Sequence, residues 1–136
     1  MNPPAELRSL ELITRLKRAP SEHKGNAGKV LLIGGAPGMA GALMLSGSAA
    51  LHLGAGWTIL EMLDPTAAHA MPDQPELMVR LASFNAQEQL EATAPDVIAI
   101  GPGLGFSALA RDWLIASLRY PKAPLVIDAD ALNLIA

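Results

Sequence analysis

The sequence has no cysteine, which excludes disulfides, thiolate metal sites and a cysteine nucleophile, and suits a reducing compartment such as the cytoplasm. Charge is scarce: 17% of residues are charged, the formal net charge is −3, and no basic stripe offers a nucleic-acid partner. Long hydrophobic runs are missing too. No stretch of 18 or more apolar residues escapes interruption by glycine or polar side chains, so no membrane span is expected. The first six residues hold Pro3, Pro4 and Glu6 rather than a basic segment before an apolar run, so no secretory signal is read there. Neither G-x-G-x-x-G nor G-x-x-x-x-G-K-[ST] occurs.

What is present is a core. Hydrophobic residues make up 51% of 136, which argues against disorder and fits one domain over residues 1–136. A chain this long can bury roughly 68–70% of its unfolded surface. Residues 5–18 carry apolar positions at helical spacing with basic residues at the end, and Pro20 closes that element, so residues 1–22 read as a leading helix and loop. Short apolar runs ending in glycine follow. Val30-Leu31-Leu32-Ile33, then residues 57–62, 77–81, 97–100 and 125–127, read as strands. Helices are expected over 38–53, 86–93 and 107–118, with Ser107 as N-cap, and from 131 onward. The helix over 38–53 is rich in Ala, Gly and Ser and should pack very close to its neighbours. Alternation of this kind predicts an α/β fold, a three-layer arrangement of a mainly parallel sheet with helices on both faces. Ligands of such sheets bind beyond the carboxyl ends of the strands.

Three of the strands carry unusual residues at that end, and a fourth segment of interest precedes the first strand. In Gly34-Gly35-Ala36-Pro37-Gly38-Met39-Ala40-Gly41-Ala42, glycines permit positive φ and close ligand approach, and free N–H groups at the helix start attract anions. On spacing alone a ligand cradle and a tight turn weigh evenly. Gly101-Pro102-Gly103-Leu104-Gly105 demands a sharp turn, with a ligand contact at the Gly103 backbone as the additional reading. In Asp128-Ala129-Asp130-Ala131-Leu132-Asn133, the two carboxylates can bind metal, orient a hydroxyl or cap a helix; Asp130 is expected to cap, and Asp128 to bond across strand ends. His23-Lys24-Gly25-Asn26-Ala27-Gly28 reads as an exposed loop more readily than a phosphate site. His52 and His69 have no ligand-like spacing and are read as structural, and Met39, Met44, Met62, Met71 and Met78 as core or gap-filling residues. No Ser-His-Asp arrangement and no metal cluster are found.

Taken in order, His23-Lys24-Gly25-x-x-Gly28, the segment from Gly34-Gly35 through Gly41-Ala42, Gly54-Ala55-Gly56, Gly101-Pro102-Gly103-Leu104-Gly105 and Asp128-Ala129-Asp130-Ala131-Leu132-Asn133 resemble the ADP/ATP-dependent NAD(P)H-hydrate dehydratases. That family is related to carbohydrate kinases and has a ribokinase-like fold. The resemblance runs from about His23 onward and implies the amino-terminal half of such a domain. It implies repair of hydrated NADH or NADPH, driven by ADP or ATP with Mg2+ through a kinase-like phosphorylation of the hydrate hydroxyl and loss of phosphate. Ala42 and Gly103 match hydrate-binding positions, and Gly35, Gly38, Gly41 and Asp128 are assigned to the same pocket. The family's nucleotide-binding segments and catalytic aspartate follow the Asp-Ala-Asp motif. No catalytic residue is therefore assigned to these 136 residues, and this chain alone is expected not to turn over. An exposed sheet edge predicts a homo-oligomer. The competing readings are a sugar or vitamin kinase of the wider superfamily and a non-catalytic binding or assembly module.

Overall fold

The computed structural model describes residues 9–15, 17 and 19–136. Helix α1 (Ser9–Arg15) is the described part of the leading helix, and residues 5–8, 16 and 18 of that expected element lie outside it. Its Leu10, Leu12 and Ile13 are exposed, so this helix does not seat on the core. A single 3-10 turn at Lys24–Ala27 then leads into β1 (Lys29–Gly34).

The remaining elements follow in chain order: α2 (Ala40–His52), β2 (Trp57–Met62), α3 (Pro65–Ala68), β3 (Leu77–Leu81), α4 (Ala86–Thr93), β4 (Val97–Ile100), α5 (Ala108–Arg119), β5 (Leu125–Ile127) and α6 (Ala129–Ile135). The five strands form one sheet in the order β3-β2-β1-β4-β5, and every pairing is parallel. The expected α/β class and all five strands are present. The short α3 was not foreseen. Its signal is local: Asp64 caps it by accepting a hydrogen bond from the Thr66 N–H at 2.9 Å, and Pro65 takes the first helical position, where its missing N–H costs nothing.

Successive side chains of a strand point to opposite faces, so each buried run feeds two cores. On one face Leu32, Leu60, Met62 and Leu77 pack with Leu43 of α2 and Ala68 of α3. A Cβ on Gly47 of α2 would lie 2.8 Å from Leu60 Cδ2, so the small residues of this helix do bring it close to the sheet. On the other face Leu31, Ile33, Ile59, Ile98 and Ile100 meet Leu90 of α4, Trp113 and Leu114 of α5, and Ala131 of α6. Trp113 is fully buried, and its indole N–H donates to the Ser83 carbonyl at 2.9 Å. Ser107 caps α5 as expected, accepting from the Ala110 N–H at 3.1 Å. The methionine expectation holds for Met62, which is buried, and fails for others: Met71 is 89% exposed, and Met39 and Met78 are also open to solvent. Met71 lies in the turn-rich stretch before β3, where no element covers it.

Candidate active-site crevice

The chain leaves β1 toward β2 and β3 on one side, then returns to place β4 and β5 on the other. The order therefore reverses between β1 and β4. A parallel sheet opens a crevice at such a point, because the loops leaving the two strands run to helices on opposite faces. Here those loops are 35–39, leading to α2, and 101–107, leading to α5. They are the two glycine-rich segments.

Backbone hydrogen bonds seam the loops together. Gly35 N–H donates to Pro102 O at 3.1 Å, Ala36 N–H to Gly103 O at 2.6 Å, and Gly101 N–H to Ile33 O at 3.1 Å. The β2 end joins the same seam through Leu63 N–H to Gly34 O at 2.9 Å and Asp64 N–H to Gly35 O at 2.8 Å. The β5 end joins through Asp128 N–H to Ile100 O at 3.1 Å.

Two kinds of glycine meet here. Side chains on the inner ones have no room: a Cβ on Gly34 would overlap the Pro102 carbonyl, one on Gly101 the Asp128 carbonyl, and one on Gly103 the Met39 carbonyl. Gly35, with φ +64°, would strike the Met62 sulfur, and both its backbone groups are already hydrogen-bonded. The outer ones differ. Gly38 and Gly41 have no heavy atom within 4 Å of an added Cβ. Gly38 needs glycine for its φ of +81°, but Gly41 has ordinary helical geometry and no packing reason to be glycine. Gly38 in the loop before α2, and Gly41 and Ala42 in its first turn, are exposed beside the buried Gly103. An added Cβ on Gly103 would be 3.3 Å from the Ala42 Cβ. Ala42, Gly103, Gly38 and Gly41 are thus brought to one crevice, while Gly35 lies beneath it.

Neither aspartate takes the role expected of it. Helix α6 begins at Ala129, two residues early, so Asp128 is its N-cap, but its side chain makes no capping bond. The Asp130 carboxylate instead reaches across the strand ends and accepts from the Gly105 N–H at 2.9 Å. Ala129, between the two aspartates, takes φ +46°, a left-handed conformation costly for a residue with a side chain. The spacing alone does not reveal this, because a cap and a cross-loop bond both place a carboxylate near a helix start.

One polar cluster was not foreseen. Glu61, fully buried on β2, accepts from the Arg80 guanidinium of β3, its register neighbour. The same guanidinium donates to the Thr93 hydroxyl and, with its amide oxygen turned inward, to Gln89 of α4. Burial pushes the Glu61 pKa above its ordinary value, and the charge and hydrogen bonds of Arg80 pull it back only in part. Glu61 Oε2 has no hydrogen-bond partner among the described residues. The sequence signal was a lone glutamate in an otherwise apolar strand.

His23 is exposed, in keeping with a loop, and His52 Nδ1 lies 2.7 Å from Ser48 O within its own helix. Among the described residues no three His, Asp or Glu side chains gather to hold a metal, and none of residues 34–42, 101–105 or 128–131 is basic. A surface groove of about 520 Å³ lies elsewhere, between α4 and α5, lined by Phe84, Leu90, Ile115, Arg119 and Tyr120 among others. None of the predicted site residues lines it.

Known proteins share this arrangement. The family model described as NAD(P)H-hydrate dehydratase matches residues 30–136. The chain belongs to the NAD(P)H-hydrate dehydratase family. It is 41% identical over 120 residues to the bifunctional NAD(P)H-hydrate repair enzyme of Escherichia coli, covering 88% of this chain and 23% of that protein. It is 40% identical over 134 residues to the ADP-dependent (S)-NAD(P)H-hydrate dehydratase of Lactiplantibacillus plantarum, covering 93% and 47%. Among solved structures, the ADP/ATP-dependent NAD(P)H-hydrate dehydratase of Bacillus subtilis, co-crystallized with ATP/Mg2+, superposes with a TM-score of 0.70 at 31% identity, covering 85% of this chain and 42% of that one. A Streptococcus mutans protein reaches 0.79 at 32% identity, covering 94% and 48%. The chain therefore spans half or less of the length of these dehydratase relatives, and the sheet described above is their ribokinase-like fold in part.

Proposed function

We propose that this chain supplies the hydrate-binding wall of an ADP/ATP-dependent NAD(P)H-hydrate dehydratase, with Ala42 and Gly103 against the hydrated nicotinamide nucleotide and Gly38 and Gly41 giving it backbone access. Asp128 and Gly35 belong to the same site, Asp128 at its β5 rim and Gly35 in its floor. The observation that carries this reading is Gly41. A helical glycine with open space above it costs up to about 1 kcal/mol against alanine, and packing within the chain returns nothing for that cost. A ligand lying against the first turn of α2 would account for it. The dehydratase names of the relatives give that ligand its class.

ADP or ATP with Mg2+ is the co-substrate that the relatives' names supply. The described residues of the crevice do not fit it: they contain no basic side chain for the phosphates and no cluster of acidic ligands for the cation. The chain's own contribution is binding and orientation of the hydrate. Phosphoryl transfer needs charge-stabilising groups in addition, so we assign no catalytic residue here and expect no turnover by this chain alone. The same reading has the protein working in the cytoplasm as a homo-oligomer.

The test is calorimetric titration of the 136-residue chain with hydrated NADH, with NADH and simple sugars as competitors. The expected result is selective binding of the hydrate, abolished by Ala42→Asp, with no NADH recovered when ADP or ATP and Mg2+ are added. Binding of sugars in preference to the hydrate would overturn the substrate class, and NADH recovery would overturn the division of labour.

A further inference from the structure

We infer that Met39 is the side chain against which the hydrated nicotinamide ring rests in the crevice; the inference rests on the hydrate-binding reading above. Residues 38–42 read Gly-Met-Ala-Gly-Ala, so Met39 carries the only side chain in that stretch larger than a methyl group. A wall of glycine and alanine offers a ligand backbone and open space. The apolar surface that holds a ring has to come from Met39.

The contacts of Met39 fix where that surface lies. A Cβ added to Gly103 would strike the Met39 carbonyl and lie 2.9 Å from the Met39 Cβ. The same added Cβ would be 3.3 Å from the Ala42 Cβ, so Met39 and Ala42 flank one point above Gly103. The Met39 Cε lies 3.4 Å from where a Cβ on Gly105 would be. The thioether chain therefore runs along the second glycine-rich loop from Gly103 to Gly105, and crosses from the β1 side of the crevice to the β4 side. Both ends of its path are held. The Met39 carbonyl accepts from the Ala42 N–H at 3.2 Å, and the Gly105 N–H is fixed by the Asp130 carboxylate at 2.9 Å. A ligand that touches Ala42 and comes down toward Gly103 meets Met39.

Methionine suits this place. Adding water across a ring double bond makes both of its carbons tetrahedral, so the hydrate has a thicker and more puckered ring than NADH. An unbranched thioether with three rotatable bonds adapts to such an irregular surface.

The test is oxidation footprinting, for which the chain carries its own reference. Met39 and Met78 are similarly exposed, at 39% and 41%, and Met78 lies on β3, which β2 separates from β1. Dilute hydrogen peroxide converts exposed methionines to sulfoxides, and peptide mass spectrometry reads the rate at each. With hydrated NADH at saturation, oxidation of Met39 should slow several-fold while that of Met78 is unchanged. Met39→Ala should weaken hydrate binding about tenfold in calorimetric titration, and Met39→Leu, which nearly keeps the volume, should restore most of it. Hydrate binding by the unmodified chain without protection of Met39, or binding undiminished in Met39→Ala, would overturn this assignment and leave the hydrate-binding reading standing. Protection by ADP-ribose alone would place another part of the ligand on Met39 and overturn the assignment in the same way. No binding of the hydrate at all would overturn both.

Discussion

The inner and outer glycines of the crevice use the same residue for opposite reasons. Gly34, Gly101 and Gly103 are glycine because backbone carbonyls of this chain occupy the space a Cβ would need. Gly41 has nothing near it, so the chain's own packing does not ask for glycine. The comparison teaches that a glycine-rich loop is not one signal. Its inner members build the seam between the strand ends, and its outer members stand clear of the chain's own atoms.

The strongest way to break the comparison is Gly101→Ala. A Cβ there overlaps the Asp128 carbonyl, and φ is +135°, so both crowding and backbone strain oppose it. A loss upward of about 4 kcal/mol is expected in chemical denaturation, at the exceptional end for a single substitution. If Gly101→Ala melted like the unmodified chain, the seam would not be what holds the crevice.

Asp130→Ala comes next. It removes the acceptor for the Gly105 N–H inside the seam and should cost about 1–3 kcal/mol. Asp130→Asn keeps an acceptor oxygen and should cost less. Equal losses for the two variants would show that the bond across the strand ends contributes nothing beyond local polarity.

Outside the seam, a pH dependence of stability should arise at Glu61. Its folded pKa is raised above the ordinary 4.5, so the folded state binds the proton more tightly than the unfolded one. Its contribution is complete below the unfolded value and is lost as pH rises through the raised folded value. Glu61→Gln, which cannot ionise, should flatten that part of the stability–pH curve measured by urea unfolding. An unchanged slope would mean that Arg80 cancels the effect of burial and leaves Glu61 with the same pKa in the folded and unfolded states.

Gly41→Ala is the smallest change and the sharpest. Stability should rise by up to about 1 kcal/mol, because alanine is the better helix former and meets no neighbour. Binding of hydrated NADH should weaken at the same time. Opposite signs for stability and binding separate an outer glycine from an inner one, for which both would fall.

Much of this was legible beforehand. The strands over 57–62, 77–81, 97–100 and 125–127 needed no correction, because a buried parallel strand is a short run rich in aliphatic residues between turn-forming segments. The five ordered motifs carried the family for a similar reason: tight turns between strand and helix tolerate few residue types, so their spacing is conspicuous.

Tertiary structure decided the rest. Local sequence put carboxylates at 128 and 130 and suggested Asp130 as a cap, but could not show that its partner is Gly105, 25 residues away. It put a glutamate in β2 but could not show Arg80 beside it, because strand register is fixed only when the sheet assembles. It listed the glycines but could not sort inner from outer, since that depends on which carbonyl of which distant loop arrives over each Cα. The sequence by itself determined which elements form, through periodicity and turn chemistry, which act over a few residues. The site depended on how strand ends far apart in the chain are brought together, and that is a property of the packed sheet.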